Sequence, residues 1–97
     1  MLIEEAKQYL KEVPGWSLGK TDEHLDMISS DLKFKDFKSA LAFVNAVGKI
    51  AESEGHHPDI HIHYNKVKLV LYTHAIGGLS KNDFIVAAKI NQKAKPG

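Results

Sequence analysis

Residues 60–71 read IHIHYNKVKLVL, and apolar or aromatic side chains recur at every second position on both sides of the central Asn65-Lys66 pair. This recurrence is typical of strands that bury one face and leave the other open. Asn65-Lys66 is the simplest two-residue loop between the two strands, because asparagine tolerates a positive φ. The stretch therefore predicts a β-hairpin, whose buried face would be formed by Ile60, Ile62, Tyr64, Val67, Leu69 and Leu71.

The loop decides which residues of the hairpin face each other. With that loop, the predicted cross-strand pairs are Tyr64 with Val67, His61 with Val70, and His57 with His74. Odd positions 57–63 and even positions 68–74 then share the face turned away from the apolar set, open to solvent, a ligand or another subunit. Glu52, four residues before His56, can approach the same corner, so imidazoles and a carboxylate are predicted to converge there.

Helical spacing of apolar residues predicts three helices. The longest covers residues 36–54 and ends at Gly55, a natural C-terminal cap. Another covers residues 2–13, and a third begins at Ser80, where Asp83 either caps the helix or takes part in a site. The apolar stripe of the longest helix is predicted to comprise Phe37, Ala40, Leu41, Val44, Val47, Gly48 and Ala51.

Two further strands are predicted upstream of the longest helix. Residues 16–18 form a short strand candidate, followed by a turn at residues 19–22. Residues 24–34 form the second strand, and the slip of apolar parity between Met27 and Ile28 predicts a β-bulge there.

The predicted order of elements is α-β-β-α-β-β-α. Hairpins indicate an antiparallel sheet, so the expected fold is an α+β two-layer sandwich: four antiparallel strands with the helices on one face. A length of 97 residues leaves room for a single domain, residues 1–97. An open sheet leaves edge strands, and a small domain gains buried surface by pairing, so we expect at least a dimer.

The composition excludes several classes of protein. The chain has no cysteine, which excludes disulfides, thiolate metal sites and cysteine nucleophiles. Thirteen basic and twelve acidic side chains leave a net charge of +1, so no overall field attracts nucleic acid or an anionic membrane. The N-terminus has no apolar signal segment, and no stretch reaches the roughly 18 apolar residues that span a bilayer. We therefore expect a soluble, cytoplasmic protein without direct nucleic-acid or membrane binding.

Five of the six histidines lie between His56 and His74. An unperturbed imidazole, with a pKa of ~6.5, can give or take a proton at neutral pH, so the cluster favours acid–base catalysis. The alternatives are that His61 and His63 are solvated residues of an exposed strand face, or that they join His57 in a zinc site. No residues that would support such metal ligands are evident in the sequence, and we expect that no metal is required.

Several segments together resemble one family. The pterin-4a-carbinolamine dehydratases are similar at Glu52-Ser53-Glu54-Gly55-His56-His57-Pro58-Asp59, Tyr64-Asn65-Lys66-Val67, Thr73-His74 and Gly78-Leu79-Ser80-Lys81-Asn82-Asp83. The resemblance extends upstream through Phe34-Lys35-Asp36-Phe37 and Gly15-Trp16, so it covers about residues 15–90. It implies an enzyme that removes water from 4a-hydroxytetrahydropterin and gives the quinonoid dihydropterin, which recycles the cofactor of aromatic amino-acid hydroxylases. It also implies the α+β fold, dimers or tetramers, and no metal or organic cofactor.

The family's active-site residues carry over by position to Glu52, His56, His57, His74 and Asp83. A carbinolamine loses water when an acid protonates the leaving oxygen and a base takes the proton of the adjacent ring nitrogen. We expect His56 and His74 to be this pair, in either order. We expect His57 to hold the pterin or its hydroxyl, and Glu52 to orient an imidazole. Further candidates for substrate binding or support of the site are Asp83, Thr73 and Trp16, the last being alternatively a packing residue.

Two positions depart from the family pattern. Many relatives have an aromatic residue two positions after the proline, where this chain has Ile60. The residue after the Thr-His pair is often acidic, and here it is Ala75. These departures concern contacts to the substrate more than the type of reaction. Some family members also act as dimerisation partners of transcription factors, so the alternative functions are a protein-binding module or, less favoured, a histidine metal-binding protein.

Overall fold

The computed structural model describes residues 1–93, which form three α-helices, four strands and a short 3₁₀ helix. In chain order these are α1 (Ile3–Leu10), β1 (Ser17–Lys20), β2 (Asp26–Lys33), α2 (Phe37–Glu54), β3 (Asp59–His63), β4 (Lys66–Leu71), the 3₁₀ helix (His74–Ile76) and α3 (Lys81–Lys93). This order confirms the α+β class expected from the sequence. Among residues 1–93, no helix combines the length and the apolar character needed to cross a membrane.

The strands form one antiparallel sheet in the order β1-β2-β4-β3, so β1 and β3 are its edges. One face is buried under the helices: Ile28 of β2 and Leu69 and Leu71 of β4 have no exposed surface. Ile60 of edge strand β3 is half-buried, and Ile62 beyond it is 37% exposed. We call the opposite side, formed by odd positions of β2 and β3 and even positions of β4, the open face.

The hairpin loop differs from the predicted one. His63 pairs with Lys66, so the loop is Tyr64-Asn65, and Tyr64 rather than its neighbour takes the positive φ, 54°. The reason is a contact outside the hairpin: the Asn65 side-chain amide donates to the Phe34 carbonyl (2.9 Å), and the Phe34 N–H donates to the Asn65 carbonyl (2.8 Å). The different loop moves each cross-strand partner by two positions, which keeps the paired side chains of β3 and β4 on their predicted faces. His61 therefore pairs with Lys68 on the open face. Tyr64, which was predicted to lie on the buried face, is instead in the loop and is 64% exposed.

The predicted bulge in β2 is absent from the paired residues 26–33. Gly19 pairs with Met27 and Leu18 with Ile28 without interruption. Met27 is an apolar residue of the open face, where it covers Gly19: a Cβ on that glycine would lie 3.0 Å from the Met27 Cε. Gly19 and Lys20 belong to β1, so the predicted turn at residues 19–22 is also displaced, and residues 21–25 form the connection to β2.

The long helix begins and ends as predicted but buries a partly different face. Asp36 caps its start, because the Asp36 carboxylate accepts a hydrogen bond from the Ser39 N–H at 2.8 Å. Phe43 is buried and packs against Phe34, with ring centroids 5.0 Å apart. The buried residues of the helix are Ala40, Phe43, Val47, Ile50 and Ala51. Phe37 and Leu41, which the helical spacing predicts to be buried, are 46% and 42% exposed.

The N-terminal helix is shorter than residues 2–13. Beyond Leu10 the backbone N–H groups of residues 11–13 donate to carbonyls three residues earlier, which tightens the last turn. Val13 at the end of this turn is buried, and the Tyr9 ring stacks on Phe84 of α3 with centroids 5.2 Å apart. These contacts fix α1 beside α3.

Candidate active site

The end of α2 positions two consecutive histidines. Gly55 takes a left-handed conformation (φ 64°), and the backbone N–H groups of Gly55 and His56 both donate to the Ala51 carbonyl. Glycine allows this turn without the steric cost of a side chain, and the shared acceptor closes the helix. His56 and His57 therefore leave the helix end together, and the buried Pro58 leads into β3.

Asp83 lies in the first turn of α3 and is fully buried. Its Oδ2 accepts hydrogen bonds from the Ser80 backbone N–H (2.9 Å) and the Thr73 hydroxyl (3.0 Å), and its Oδ1 lies 2.5 Å from Nε2 of His56. Burial of a carboxylate is costly unless its oxygens are paired, and both are paired here. From the sequence, we expect Asp83 either to cap the start of α3 or to take part in a functional site. In the structure Asp83 caps α3 and also contacts His56.

A closed loop holds the Thr73 hydroxyl in this contact. Thr73 and Gly78 exchange backbone hydrogen bonds of 2.7 and 3.3 Å, and Gly77 turns the chain with a left-handed φ of 64°. The Thr73 hydroxyl also lies 2.7 Å from that of Ser80. The sequence assigned Ser80 only to the helix start. The Gly77-Gly78 pair, which folds the chain back at this point, is the signal that could have placed its hydroxyl beside Thr73.

The contact with Asp83 determines how His56 can react. Only 17% of the His56 side chain is exposed, and its Nε2 points at the carboxylate. The carboxylate therefore holds either the Nε2–H tautomer or the doubly protonated ring, an assignment made from the partner at Nε2. In both states Nδ1 is the nitrogen left to exchange a proton with a ligand.

Glu52 and His57 form a second pair beside the first. Oε2 of Glu52, in the last turns of α2, contacts Nε2 of His57. Both side chains are mostly exposed, at 79% and 60%. Exposed ion pairs are weak because water screens them, so this pair can rearrange around a ligand. The structure thus brings the Glu52 carboxylate to the His57 imidazole, and a role of Glu52 in orienting that ring stays a prediction.

His74 begins the 3₁₀ helix and is exposed. Its ring packs against Tyr72 with centroids 4.5 Å apart. Partial burial raises the pKa of Tyr72, and the negative charges of Asp59 and Glu23 raise it further. Tyr72 was not singled out by the sequence, because its position directly before Thr73-His74 carries no chemical signal of its own.

The predicted residues therefore gather from three places: the end of α2, the segment after β4, and the start of α3. Hydrogen bonds connect His56, Asp83 and Thr73, while Glu52 and His57 pair separately. Among residues 1–93 no hydrogen bond joins His74 to either of the other two histidines. The predicted cross-strand pairing of His57 with His74 does not form, since both residues lie outside the strands.

A family profile described as Pterin 4 alpha carbinolamine dehydratase matches residues 2–93. The chain belongs to this family. Members so named are dehydratases, a class of hydro-lyase, and this confirms both the family and the enzyme class expected from the sequence.

Named relatives of the dehydratase family align along almost the whole chain. A putative pterin-4-alpha-carbinolamine dehydratase of Nitrosospira multiformis is 49% identical over 89 residues, which cover 91% of this chain and 74% of that protein. One of Gloeobacter violaceus is 47% identical over 90 residues, covering 93% and 97%. Pterin-4-alpha-carbinolamine dehydratase 2, mitochondrial, of Arabidopsis thaliana is 47% identical over 93 residues. These cover 95% of this chain but 49% of that protein, so the chain spans about half its length.

Solved structures show the same fold. A crystal structure from Brucella melitensis, described as transcriptional coactivator/pterin dehydratase, superposes with a TM-score of 0.84 at 33% identity and covers 95% of both chains. A pterin dehydratase-like RuBisCO assembly factor of the alpha-carboxysome has a TM-score of 0.69 at 18% identity, with 89% of this chain and 96% of that chain covered. The second likeness shows the fold alone.

Trp16 lies directly before β1 and contacts α3. Its side chain is buried, and its indole N–H donates to the Asn91 side-chain oxygen at 3.1 Å. The Asn91 amide in turn donates to the Pro14 carbonyl at 2.9 Å. These contacts are those of a packing residue, and a role of Trp16 in substrate binding stays a prediction.

The alternative zinc site requires the imidazoles of His57, His61 and His63 to lie close enough together to bind one metal ion. Two of these, His61 and His63, lie on the open face of β3 and pair across the strand with Lys68 and Lys66. In the described part of the chain, residues 1–93, no three histidine or carboxylate side chains are placed to hold a metal ion together. The histidines of β3 are thus exposed polar residues in this structure.

Proposed function

We propose that this chain converts 4a-hydroxytetrahydropterin into the quinonoid dihydropterin and water, with histidines as the proton-transfer groups. The observation that carries the proposal is the largely buried His56 imidazole, held by the fully buried carboxylate of Asp83. The next residue in the chain, His57, forms an exposed pair with Glu52. Membership of the dehydratase family supports the pterin substrate.

The reaction breaks the C4a–O bond and forms a double bond between C4a and the neighbouring ring nitrogen. A general acid gives a proton to the leaving hydroxyl, and a general base takes the N–H proton, so water is the only other product. Each transfer contributes typically ~10²–10⁴-fold to the rate. His56 and His74 are the two groups we assign to these transfers, in either order.

Asp83 and Glu52 act in this mechanism as positioning residues. The carboxylate of Asp83 fixes the ring of His56 and stabilises the positive charge that forms when the ring takes a proton. Glu52 orients His57, which holds the pterin or its hydroxyl, and this effect is weaker because the pair is exposed. The product returns to the pterin cofactor pool of aromatic amino-acid hydroxylases.

A dehydration assay on the purified chain tests the proposal. The absorbance of freshly generated 4a-hydroxytetrahydropterin is followed with wild type, His56→Ala and His63→Ala. We expect His56→Ala to lower kcat by ~10²–10⁴-fold, the contribution of one general acid or base. His63→Ala is the matched control, since it removes an imidazole from the hairpin end of β3, and it should keep the wild-type kcat. Wild-type kcat in His56→Ala, or equal losses in both variants, would refute the assignment.

A protein-binding surface is a second candidate function. Phe37 and Leu41 are large, exposed and four residues apart, so they share one face of α2. The Brucella melitensis neighbour is described as a transcriptional coactivator as well as a dehydratase, which supports a protein-binding role in general but does not single out a surface. We propose that this face and the sheet edges assemble the chain into dimers or tetramers. Light scattering at micromolar concentration should give an oligomeric mass for wild type and a smaller one for Phe37→Ser/Leu41→Ser; a monomeric wild type would contradict it.

A further inference from the structure

The open face carries two rows of charged side chains at its hairpin end. In the first row Lys66 of β4 pairs directly with Lys33 of β2 on one side and with His63 of β3 on the other. In the next row Lys68 pairs with Asp31 and with His61 in the same way. We call these six residues the cationic patch: Asp31, Lys33, His61, His63, Lys66 and Lys68.

The cationic patch is electrostatically unfavourable for the fold itself. Side chains directly opposite on antiparallel strands have Cβ atoms ~4.5–5.5 Å apart, and like charges in that position repel. With neutral imidazoles, three lysines and one aspartate leave the patch at +2, whereas the whole chain has a net charge of +1. Within residues 1–93 the ion pairs involve none of the six side chains. Asp31, which faces Lys68 across the strands, offsets part of the positive charge, and among residues 1–93 the remaining charge of +2 has no ion-pair partner.

A cleft lies over the cationic patch. It has a volume of about 280 Å³, close to the lower end of the ~300–1,000 Å³ of small-molecule pockets, and all six patch residues line it. His61 and Lys68 also line a second cleft of about 480 Å³ that continues along the open face over Val70 and Tyr72, and the carboxylates of Asp22, Glu23 and Asp59 line the same cleft. The patch is thus one end of a longer concave surface, with room for a charged group at the lysines and an organic body beyond them.

We propose that the cationic patch binds a phosphate group, either as free inorganic phosphate or as the phosphomonoester of a small organic molecule. A phosphate carries up to two negative charges and several acceptor oxygens, so it can contact Lys33, Lys66 and Lys68 at once. Neither His56 nor His74 lines the two clefts, and the occupant of the patch is not the substrate of the dehydration.

Titrations with three compounds test for the phosphate group and identify its source. Inorganic phosphate, ribose 5-phosphate and ribose are added at low ionic strength, and the backbone amide signals of residues 61–68 are followed by NMR. Both phosphates should give saturable shifts, and ribose should give none. Tighter binding of ribose 5-phosphate identifies a phosphomonoester as the ligand, and equal or weaker binding identifies free phosphate. Absence of saturation for both phosphates, or equal shifts with ribose, overturns the proposal.

Paired variants separate the patch from overall charge. Lys33→Gln/Lys66→Gln removes two patch cations, and Lys7→Gln/Lys49→Gln removes two exposed lysines of α1 and α2, so both have the same net charge. The patch variant should weaken phosphate binding about 25-fold, since each of the two lysines contributes about fivefold toward one negative charge ~4 Å away in water. Its Tm should rise or stay unchanged, because repulsion between facing lysines is relieved. Equal loss of binding in the two variants overturns the proposal. Because neither pair touches the histidines of the candidate active site, kcat for dehydration is a separate readout.

Discussion

Replacement of Asp83 by asparagine changes one atom of a fully buried side chain, and its effect follows from the groups around it. The asparagine oxygen can accept the hydrogen bonds that now come from Ser80 and Thr73, so α3 keeps its cap. The new NH₂ group then faces Nε2 of His56 and donates to it. This places the ring proton on Nδ1, the nitrogen that should exchange protons with the substrate.

The magnitudes come from these two changes. A hydrogen bond to a charged group is worth ~1.5–3 kcal/mol and a neutral one ~0.5–1.5 kcal/mol, so the free energy of unfolding should fall by about 1–2 kcal/mol. The capping interaction alone would lose no more than about 1 kcal/mol, because the asparagine oxygen can still accept the hydrogen bond from the Ser80 N–H. With its proton on Nδ1 and no carboxylate at Nε2, the His56 ring can neither accept a proton at Nδ1 as a base nor hold the positive charge that makes it an effective acid, so kcat should fall by ~10²–10⁴-fold.

Three measurements check this expectation. The dehydration assay gives kcat, urea denaturation gives the free energy of unfolding, and ring-nitrogen NMR gives the tautomer of His56. Asp22→Asn is the matched control, since Asp22 is exposed and forms no hydrogen bond among residues 1–93. A kcat within twofold of wild type in Asp83→Asn, with the ring proton moved to Nδ1, would refute the role given to this nitrogen.

Three further outcomes are expected. Glu52→Gln should lower kcat less than loss of a histidine does, because its pair with His57 is exposed and screened; a loss as large as that of His74→Ala would contradict this. Hydrogen bonds from Ser39 hold the pKa of Asp36 below its usual 3.8, so its carboxylate stabilises the fold above that pH, and the contribution is lost as the pH falls through the lowered pKa. The difference in unfolding free energy between wild type and Asp36→Ala should therefore be full at pH 7 and shrink below pH 3.8; a difference independent of pH would show that the charge of Asp36 is unimportant. Dialysis against a chelator should leave kcat unchanged, and a loss restored by zinc would favour the metal-binding alternative.

The parts of the fold that depend on local pattern could be predicted from the sequence. The capping residues Asp36 and Gly55 mark the ends of α2, and the alternation in residues 60–71 marks the hairpin. The hairpin loop could not be predicted, because it depends on the contact of Asn65 with Phe34, 31 residues away in the chain. The prediction of the buried face of α2 was partly wrong for a similar reason. Apolar residues lie on two neighbouring faces of this helix, and only the tertiary packing decides which of them is buried.

The candidate site was predictable as a set of residues but not as an arrangement. The resemblance singled out Glu52, His56, His57, His74 and Asp83, and the structure connects four of them in two hydrogen-bonded pairs. The sequence placed a histidine pair across the hairpin, which depended on the wrong register. The contact between positions 56 and 83 spans 27 residues and two elements, and no spacing rule within one element reveals it.

Asp83 has two functions in one side chain: it caps the start of α3 and it contacts the imidazole of His56. A neutral polar residue there could still start α3, but it would bring no charge to the imidazole of His56. A mutation at position 83 that stabilises α3 but weakens the contact with His56 should be selected against. The same holds for a mutation that favours the contact with His56 but destabilises α3. Few side chains can both cap α3 and bring a negative charge to His56, so few residues should be acceptable at this position. A substitution at position 83 should be tolerated only together with changes at positions 56, 73 or 80, which makes these four positions an epistatic unit.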